Sequence, residues 1–466
     1  MALGSNRFIV GIGEHIWSDR TTLTGGSVSG NQVTGLSGLT ANKYDGCRMR
    51  VLNGTNAGKV YHVVTNGTTS LTFQEAATGF AATDIVVFEL RFAAPTIRNI
   101  FIDLPEDFDM FTAAAELDEA YAHGAGRDRN FAQTKKFMYE AALPIILQNP
   151  RLLFLALGEE KTTGADKVGG GGSTLSAATY IGETIINVAS AANYAQGDYI
   201  QVDVAAGDPP TSAEVPEVRV ITNVNGNAIT LDYPLRFAHA NGVACNEVQA
   251  PFTHYLAPSS ELPYFDVIGV YNEVTQHIRD AVGVKANRLE LSSNEDDVVR
   301  VSVDTVALKV LTTGAAPSVT MVTTKAYHFS QVTSGISVNS VVYANIKAFT
   351  YTLEHNQNQV YAHQDTSGKS PFFTAEGRRR HELQLILVPF NTNIYDLLTG
   401  ETEHTVTLTF TRATSDTLAF TFTVCRISQA PHGMPADGPV NVNITAHPQA
   451  MTAKAVDSIP YYPAGA

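Results

Sequence analysis

Two short glycine-containing segments have residue types that can hold phosphate groups. Gly11-Ile12-Gly13 begins like a dinucleotide-binding phrase, but Ile16 stands where the third glycine is needed. Gly368-Lys369-Ser370 ends like a phosphate-binding P-loop, but His363 occupies the place of its leading glycine. Because both lack a glycine that lets the backbone approach a phosphate, we predict that each is an ordinary turn.

Residues that could act as a nucleophile or a metal ligand are present at the wrong spacing. Ser27-Val28-Ser29 lies between glycines, but a valine takes the position of the nucleophile. The 13 histidines include no HExxH pair, and His15, His62 and His123 are each isolated. We therefore expect neither catalysis nor a bound metal or other cofactor.

Paired carboxylates leave one enzymatic alternative open. Glu159-Glu160 and Glu295-Asp296-Asp297 could serve a glycoside hydrolase if two carboxylates faced each other across a cleft. Acidic residues at a turn are more often solvated charge, and the second group lacks the DxDxDG pattern of a calcium loop. The only strong basic run is Arg378-Arg379-Arg380, which we interpret as a contact to an acidic neighbouring subunit.

The overall composition argues against a nucleic-acid-binding protein. The 466 residues carry a formal net charge of −14, whereas phosphate neutralisation needs lysine and arginine. Charged residues make up only 16% of the chain, below the typical quarter for globular domains. This low fraction suits a surface covered by neighbouring copies, and it suits an ordinary β-rich protein almost as well.

The cysteines and the N-terminus indicate a protein made in a reducing compartment. Cys47, Cys245 and Cys425 lie far apart, so we expect three buried free thiols rather than disulfides or a zinc site. The N-terminus lacks a signal-like apolar region, and no segment is apolar enough to span a bilayer. We expect synthesis and assembly in the cytoplasm without a membrane anchor.

Two helices are predicted in an otherwise β-rich chain. TAAAELDEAYAHG, ending at His123-Gly124, is rich in helix formers and stops at a glycine. Arg151–Leu157 is leucine-rich, follows Asn149-Pro150 and ends at Gly158, which predicts a short buried helix.

Residues 25–92 and 164–250 are predicted to be two related all-β modules. Tyr44-Asp45-Gly46 matches Ala195-Gln196-Gly197, and the following strands match in order, with Val63 set against Val220. The glycines of 169–172 indicate a flexible linker at the start of the second module. The remainder, 1–24, 93–163 and 251–466, is assigned to a central core.

Strict alternation of apolar and polar residues predicts two long hairpins within residues 251–466. One places Leu289 and Leu291 opposite Val299, Val301 and Val303 around an acidic tip. Its candidate inter-subunit or lumen-facing residues are Arg288, Glu290, Glu295, Asp296, Asp297, Arg300, Ser302 and Asp304. The other joins Val406, Leu408 and Phe410 to Leu418, Phe420, Phe422 and Val424. Long open edges invite aggregation, and closing a barrel with other subunits would remove them.

Three stretches in order resemble the tail tube protein family of long-tailed phages. The first is Phe131–Gly158, which ends in LPIILQNPRLLFLALG. The second is His254–Lys309, in which GVKANRLELS precedes a turn and an alternating strand. The third is Tyr327–His432, which contains IKAFTYTLEHN and the threonine-rich hairpin.

The resemblance implies a mainly β protein whose core is a β-sandwich with a flanking helix. It implies hexameric rings that stack into a tube, with long hairpins closing an inter-subunit β-barrel around an electronegative lumen. Genomic DNA would pass through this lumen without specific binding. The implied partners are further copies, the tape measure, terminator and baseplate or tip proteins, and a sheath if the tail contracts. The protein would then reside in the virion tail, with the two added modules outside the tube.

A different class of function remains open besides the glycoside hydrolase. The chain could be a virion decoration or adhesin protein whose β modules bind carbohydrate at the host surface. Sugar-binding sites usually cluster aromatic side chains, whereas this chain has a single tryptophan, Trp17. The structural, self-assembling interpretation is therefore preferred.

Overall fold

The structure is a computed structural model. It describes residues 8–23, 27–37, 39–81, 83–91, 97–99, 112–120, 131–272, 276–312, 319–320, 324–338, 341–343, 346–361, 371, 373–388, 403–429, 432–433 and 441–462. Over these ranges the chain is mainly β, as expected, and contains one α-helix. Within the same ranges, no helix has both the length and the apolar character needed to cross a membrane.

The first half of the chain alternates short and long strands. They are β1 (Phe8–Thr22), β2 (Ser27–Ser29), β3 (Gln32–Thr34), β4 (Arg48–Val51), β5 (Val60–Asn66), β6 (Ser70–Phe73), β7 (Ile85–Arg91), β8 (Ile97–Asn99), β9 (Thr112–Ala120), β10 (Phe131–Ile146), β11 (Gly158–Asp166), β12 (Gly172–Thr174), β13 (Ile185–Asn187), β14 (Tyr199–Val202), β15 (Glu217–Asn225), β16 (Ala228–Leu231) and β17 (Ala244–Pro258). The helix α1 (Arg151–Leu157) separates β10 from β11.

The second half contains the longest strand, β19 (Gln276–Asn294). The strands of this half are β18 (Phe265–Asn272), β19 (Gln276–Asn294), β20 (Arg300–Val306), β21 (Lys309–Leu311), β22 (Val319–Thr320), β23 (Val332–Val338), β24 (Val341–Tyr343), β25 (Ile346–Glu354), β26 (Asn358–Val360), β27 (Phe373–Ala375), β28 (Arg380–Leu387), β29 (His404–Ala413), β30 (Asp416–Gln429), β31 (His432–Gly433), β32 (Asn441–His447) and β33 (Ala450–Asp457). A short 3₁₀ helix, Phe329–Gln331, precedes β23.

Two antiparallel sheets pack face to face to form the central core. The hairpin sheet has the order β9-β10-β20-β19-β25-β28-β32. The threonine sheet has the order β24-β23-β29-β30-β33-β17-β11. Their inner faces meet through aromatic pairs: the Phe349 and Phe410 rings lie 6.0 Å apart, and those of Tyr351 and Phe422 lie 4.9 Å apart.

Period-two alternation explains which side chains fill this core. Leu289, Leu291, Val301 and Val303 are at most 1% exposed, whereas the residues between them point away from the threonine sheet. The second predicted hairpin, β29-β30, is confirmed up to Phe422. Beyond that residue the alternation slips, because the register of the hairpin shifts between His404 and Val406. Buried Cys425 therefore takes the place that the sequence assigned to Val424, which is only half-buried and has φ +52°.

The predicted helix at Arg151–Leu157 is confirmed. All seven of its residues are buried, and the Asn149 side chain accepts a hydrogen bond from the Arg151 amide at 3.1 Å. Gly158 ends the helix in the left-handed conformation, with φ +96°. Glycine is favoured there because it has no Cβ to strain that conformation.

The helix predicted for residues 112–124 is wrong. Thr112–Ala120 is the strand β9, which pairs antiparallel with β10 from Phe131 to Glu140. Residues 121–124 lie outside the described residues. Alanine and glutamate favour a helix by only tenths of a kcal/mol per residue, so hydrogen bonding to the long neighbouring strand outweighs that preference.

The two predicted β modules each enclose a separate hydrophobic cluster. Their strands pair in the same way. In the first module β4 lies between β5 and β7, and in the second β14 lies between β15 and β17. Likewise β6 pairs with β3 and β5, as β16 pairs with β13 and β15. Gly46 N donates to Val63 O at 2.9 Å, as Gly197 N donates to Ile221 O at 2.8 Å. Val63 therefore corresponds to Ile221 and not, as the sequence match has it, to Val220.

Several smaller expectations are corrected. The glycines of 169–172 form a hydrogen-bonded turn and the start of β12 rather than a loose linker: Gly170 N donates to Lys167 O at 2.8 Å, and Gly171 N to Glu247 Oε2 at 2.9 Å. Gly11 and Gly13 lie within β1 and not in a turn, whereas residues 368–370 lie outside the described residues. Cys47 is half-exposed, while the other two cysteines are buried.

Candidate assembly surface

The outer face of the hairpin sheet collects the residues predicted for inter-subunit contact. On β19 and β20, Arg288 lies directly opposite Asp304, Glu290 opposite Ser302, and Ser292 opposite Arg300. In an antiparallel sheet, directly opposed side chains share a face, so these six form one polar face pointing away from the core. The structure thus confirms the predicted hairpin and its polar side, while their function remains a prediction.

Ion pairs hold the arginines on this face. The Arg288 guanidinium lies 2.6 Å from Glu290 and 3.6 Å from Asp304. Arg300 lies 3.4 Å from Asp297 at the hairpin turn. A guanidinium already paired with a carboxylate has less positive field to offer a passing phosphate group, so this face does not form a continuous cationic track.

Arg380, the last residue of the arginine triplet (Arg378–Arg380), lies on the same polar face. Arg380 begins β28 and lies opposite Glu354 of β25, which in turn lies opposite Arg288. The sequence treats the hairpin and the triplet as separate sites, yet the sheet joins them through one cross-strand row. That row also contains Glu354, which sequence reasoning missed; the alternation in IKAFTYTLE would have placed it on a polar face.

The two ends of this surface differ in charge. At the hairpin turn, the acidic tip is Glu295, Asp296 and Asp297; the Glu295 side chain is 63% exposed, and its only ion pair among the described residues is with Lys347 at 4.0 Å. At the opposite end, all three arginines of the triplet are exposed. Arg380 lies 3.7 Å from Glu382.

Buried polar clusters at the base of the modules act as ties within the chain. His254 is fully buried between Glu160, at 2.8 Å, and Asp457, at 3.2 Å, and stacks on Tyr462. Burial alone would lower the pKa of His254, but the hydrogen bonds that its ring donates to Asp457 and Glu160 outweigh burial and raise the pKa to about 9. Glu160, one of the carboxylates considered for catalysis, is thus held by a cationic partner.

A second tie joins the first module to the central core. Arg48 donates to Glu89 within the module at 2.7 Å and to Glu261 beyond it at 2.6 Å. Glu261 also pairs with Arg50. Removing one partner would leave a buried charge uncompensated, so the cluster fixes how the module sits against the core.

A cleft of about 210 Å³ lies where the two modules meet the core, beside these ties. Its lining mixes charges of both signs with aromatic rings. Among the described residues, no group of three or more histidine, cysteine or acidic side chains is arranged so that it could hold a metal ion.

The fold is that of a mainly β protein in which one sheet of the core presents a broad polar face. A family model described as Phage tail tube protein matches residues 65–453. This match covers well over half of the chain, and the chain belongs to that family. The matched span contains the whole second module and enters the first. Comparison with curated proteins found no match.

Proposed function

We propose that the chain polymerises as stacked hexameric rings that form a phage tail tube, through which the genome is delivered. The hairpin sheet supports this proposal, because its long strands present a polar face that a closed inter-subunit barrel would turn toward the lumen. Among the described residues, β9 is the outer strand of that sheet, so its free backbone groups are available for pairing with a neighbouring copy.

The charge on the polar face suits the passage of DNA. The face carries Glu290, Asp304, Glu354 and Glu382 against Arg288, Arg300 and Arg380, with the acidic tip at one end. Attraction to phosphate in every ring would slow a moving duplex, whereas paired arginines and a slight acidic excess would not.

The positions of the two modules support a place outside the tube. The second module continues from β17, which belongs to the threonine sheet on the side of the core away from the polar face. Beside the first module, where β1 pairs with β7, Arg20 forms an ion pair with Glu183 of the second module and lies 5.6 Å from the Tyr180 ring. We propose that the modules are two copies of one accessory unit on the tube exterior.

Electron microscopy of the purified protein tests this function. We expect rings of uniform diameter that stack into tubes, and labelling by a specific antibody along isolated tails. A protein that stays monomeric at all concentrations and is absent from tails would refute the proposal.

A cysteine-labelling experiment tests the lumen assignment separately. In assembled tubes, Ser302→Cys should react with a small maleimide but not with a polymer-linked one. Thr222→Cys, on an exposed position of the second module, is the matched control and should react with both. The unsubstituted protein gives the background from its own cysteines. Equal reaction of both variants with the bulky reagent would place the polar face outside the lumen.

A further inference from the structure

The hairpin sheet has ends of opposite charge whose side chains are only partly neutralised within the chain. At one end, Asp296 makes no ion pair with a described residue, and Glu295 has only the 4.0 Å contact to Lys347. At the other end, neither Arg378 nor Arg379 pairs with a carboxylate among the described residues, although both side chains are exposed. Such charges remain available to a partner.

The strand register shows that these groups lie at opposite ends of the same strands. β19 runs from the row of Arg288 toward the acidic tip. β25 runs the other way, and Arg380, opposite its last residue Glu354, begins β28. At about 3.3 Å per residue, the seven residues from Arg288 to Asn294 separate the two ends by roughly 20 Å.

We propose that the acidic tip of one copy contacts the arginine triplet of a second copy of this chain in the next ring. The proposal rests on the ring-and-tube function above. When a sheet closes around an axis, the ends of its strands reach the two rims of the ring. One rim then carries the carboxylates and the other the guanidinium groups, at a similar distance from the axis because the tip joins β19 to β20 and the triplet leads into β28 of the same sheet.

This arrangement gives the tube a direction. Stacking two rings by the same rim would bring carboxylates against carboxylates, or arginines against arginines, and like charges repel. Only head-to-tail stacking pairs opposite charges. Because the contacting groups are exposed, added salt should weaken the contact, with screening lengths of about 10 Å at 0.1 M.

Charge reversal at each rim tests the contact. One variant carries Glu295→Lys, Asp296→Lys and Asp297→Lys, and the other carries Arg378→Glu, Arg379→Glu and Arg380→Glu. Each variant alone should form rings but reduce the mean tube length at least tenfold in electron micrographs. When rings of the two variants are mixed, they should stack alternately and recover long tubes, because each rim then meets a rim of opposite charge.

Controls separate this contact from folding and from the tube function itself. Lys59→Glu, at an exposed position of the first module, changes the net charge by two and should leave tube length unchanged. If a reversal variant fails to form rings, the contact is tested with the milder Glu295→Gln, Asp296→Asn and Asp297→Asn variant. For this variant, the protein concentration needed for tube growth should rise several-fold. Long tubes from either reversal variant alone, no recovery on mixing, or an unchanged concentration for the milder variant would overturn the contact. Failure of the unsubstituted protein to form rings would instead refute the tube function.

Discussion

Val301 offers the sharpest test of the inner face of the long hairpin. Its side chain is 1% exposed and points between the two sheets. In Val301→Asp, burial would hold the new carboxyl protonated, and protonating a group of pKa about 3.9 at pH 7 costs about 4 kcal/mol. Losing the buried valine adds about 1.5 kcal/mol or more. The sum, about 5–6 kcal/mol, is comparable with the whole stability of many domains.

The neighbouring position provides the matched control. Ser302 lies on the polar face opposite Glu290, so Ser302→Asp introduces the same side chain where water reaches it. Like charges across a strand pair cost less than about 1 kcal/mol. Urea unfolding followed by circular dichroism should show a large fall in midpoint for Val301→Asp and a small one for Ser302→Asp. Equal midpoints would mean that the face assignment is wrong.

Two further predictions concern stability. The pKa of His254 is raised from about 6.5 in the unfolded chain to about 9 in the folded protein. Protonated His254 therefore stabilises the fold fully below about pH 6.5. This contribution, up to about 3 kcal/mol, is lost as the pH rises through 9. Urea unfolding at pH 6 and pH 10 should show this loss, and His254→Gln should remove most of it; a pH-independent difference between the two proteins would contradict the reasoning. Gly158→Ala should destabilise by about 2–4 kcal/mol, because it adds a 2.9 Å clash with the Ser259 Cβ to the strain of a positive φ. Thermal unfolding of Gly242→Ala, which has a positive φ of +86° but open space, isolates the strain alone, and equal losses would rule out the clash.

The parts of the fold that could be predicted from the sequence depend on residues that lie close together in the chain. The alternation of Leu289, Leu291, Val301 and Val303 fixes a buried and a polar side without knowledge of any other strand. The cap and stop residues around Arg151–Leu157 act over one helical turn, so they too can be read locally.

The wrong predictions concern segments whose structure is determined by hydrogen bonding to residues far away in the chain. Residues 112–120 have helix-forming composition but adopt β9, because β10 supplies a ladder of hydrogen bonds along their length. The glycines of 169–172 look flexible in sequence, but the Glu247 carboxylate, contributed by β17, accepts a hydrogen bond from Gly171. No short sequence pattern around residues 112–120 or 169–172 indicates these partners.

The candidate surface was predicted in pieces rather than as a whole. Alternation placed Arg288 and Asp304 on one face, and composition singled out the arginine triplet. Their relation passes through Glu354, and it depends on how β25 aligns with β19 and β28. A shift of one residue in either pairing would turn that row to the other face, so only the three-dimensional register joins the two sites.

The strands that join the predicted modules to the core limit how far the modules can move. β1 pairs with β18 of the core over Phe8–Glu14 and with β7 of the first module over His15–Thr22. β17 likewise pairs with β14 near its start and with β33 near its end. A module that swung on a hinge would have to break the ladder of a strand shared in this way. We therefore expect both predicted modules to keep a fixed orientation on the core, which the proposed stack of rings would repeat on every subunit.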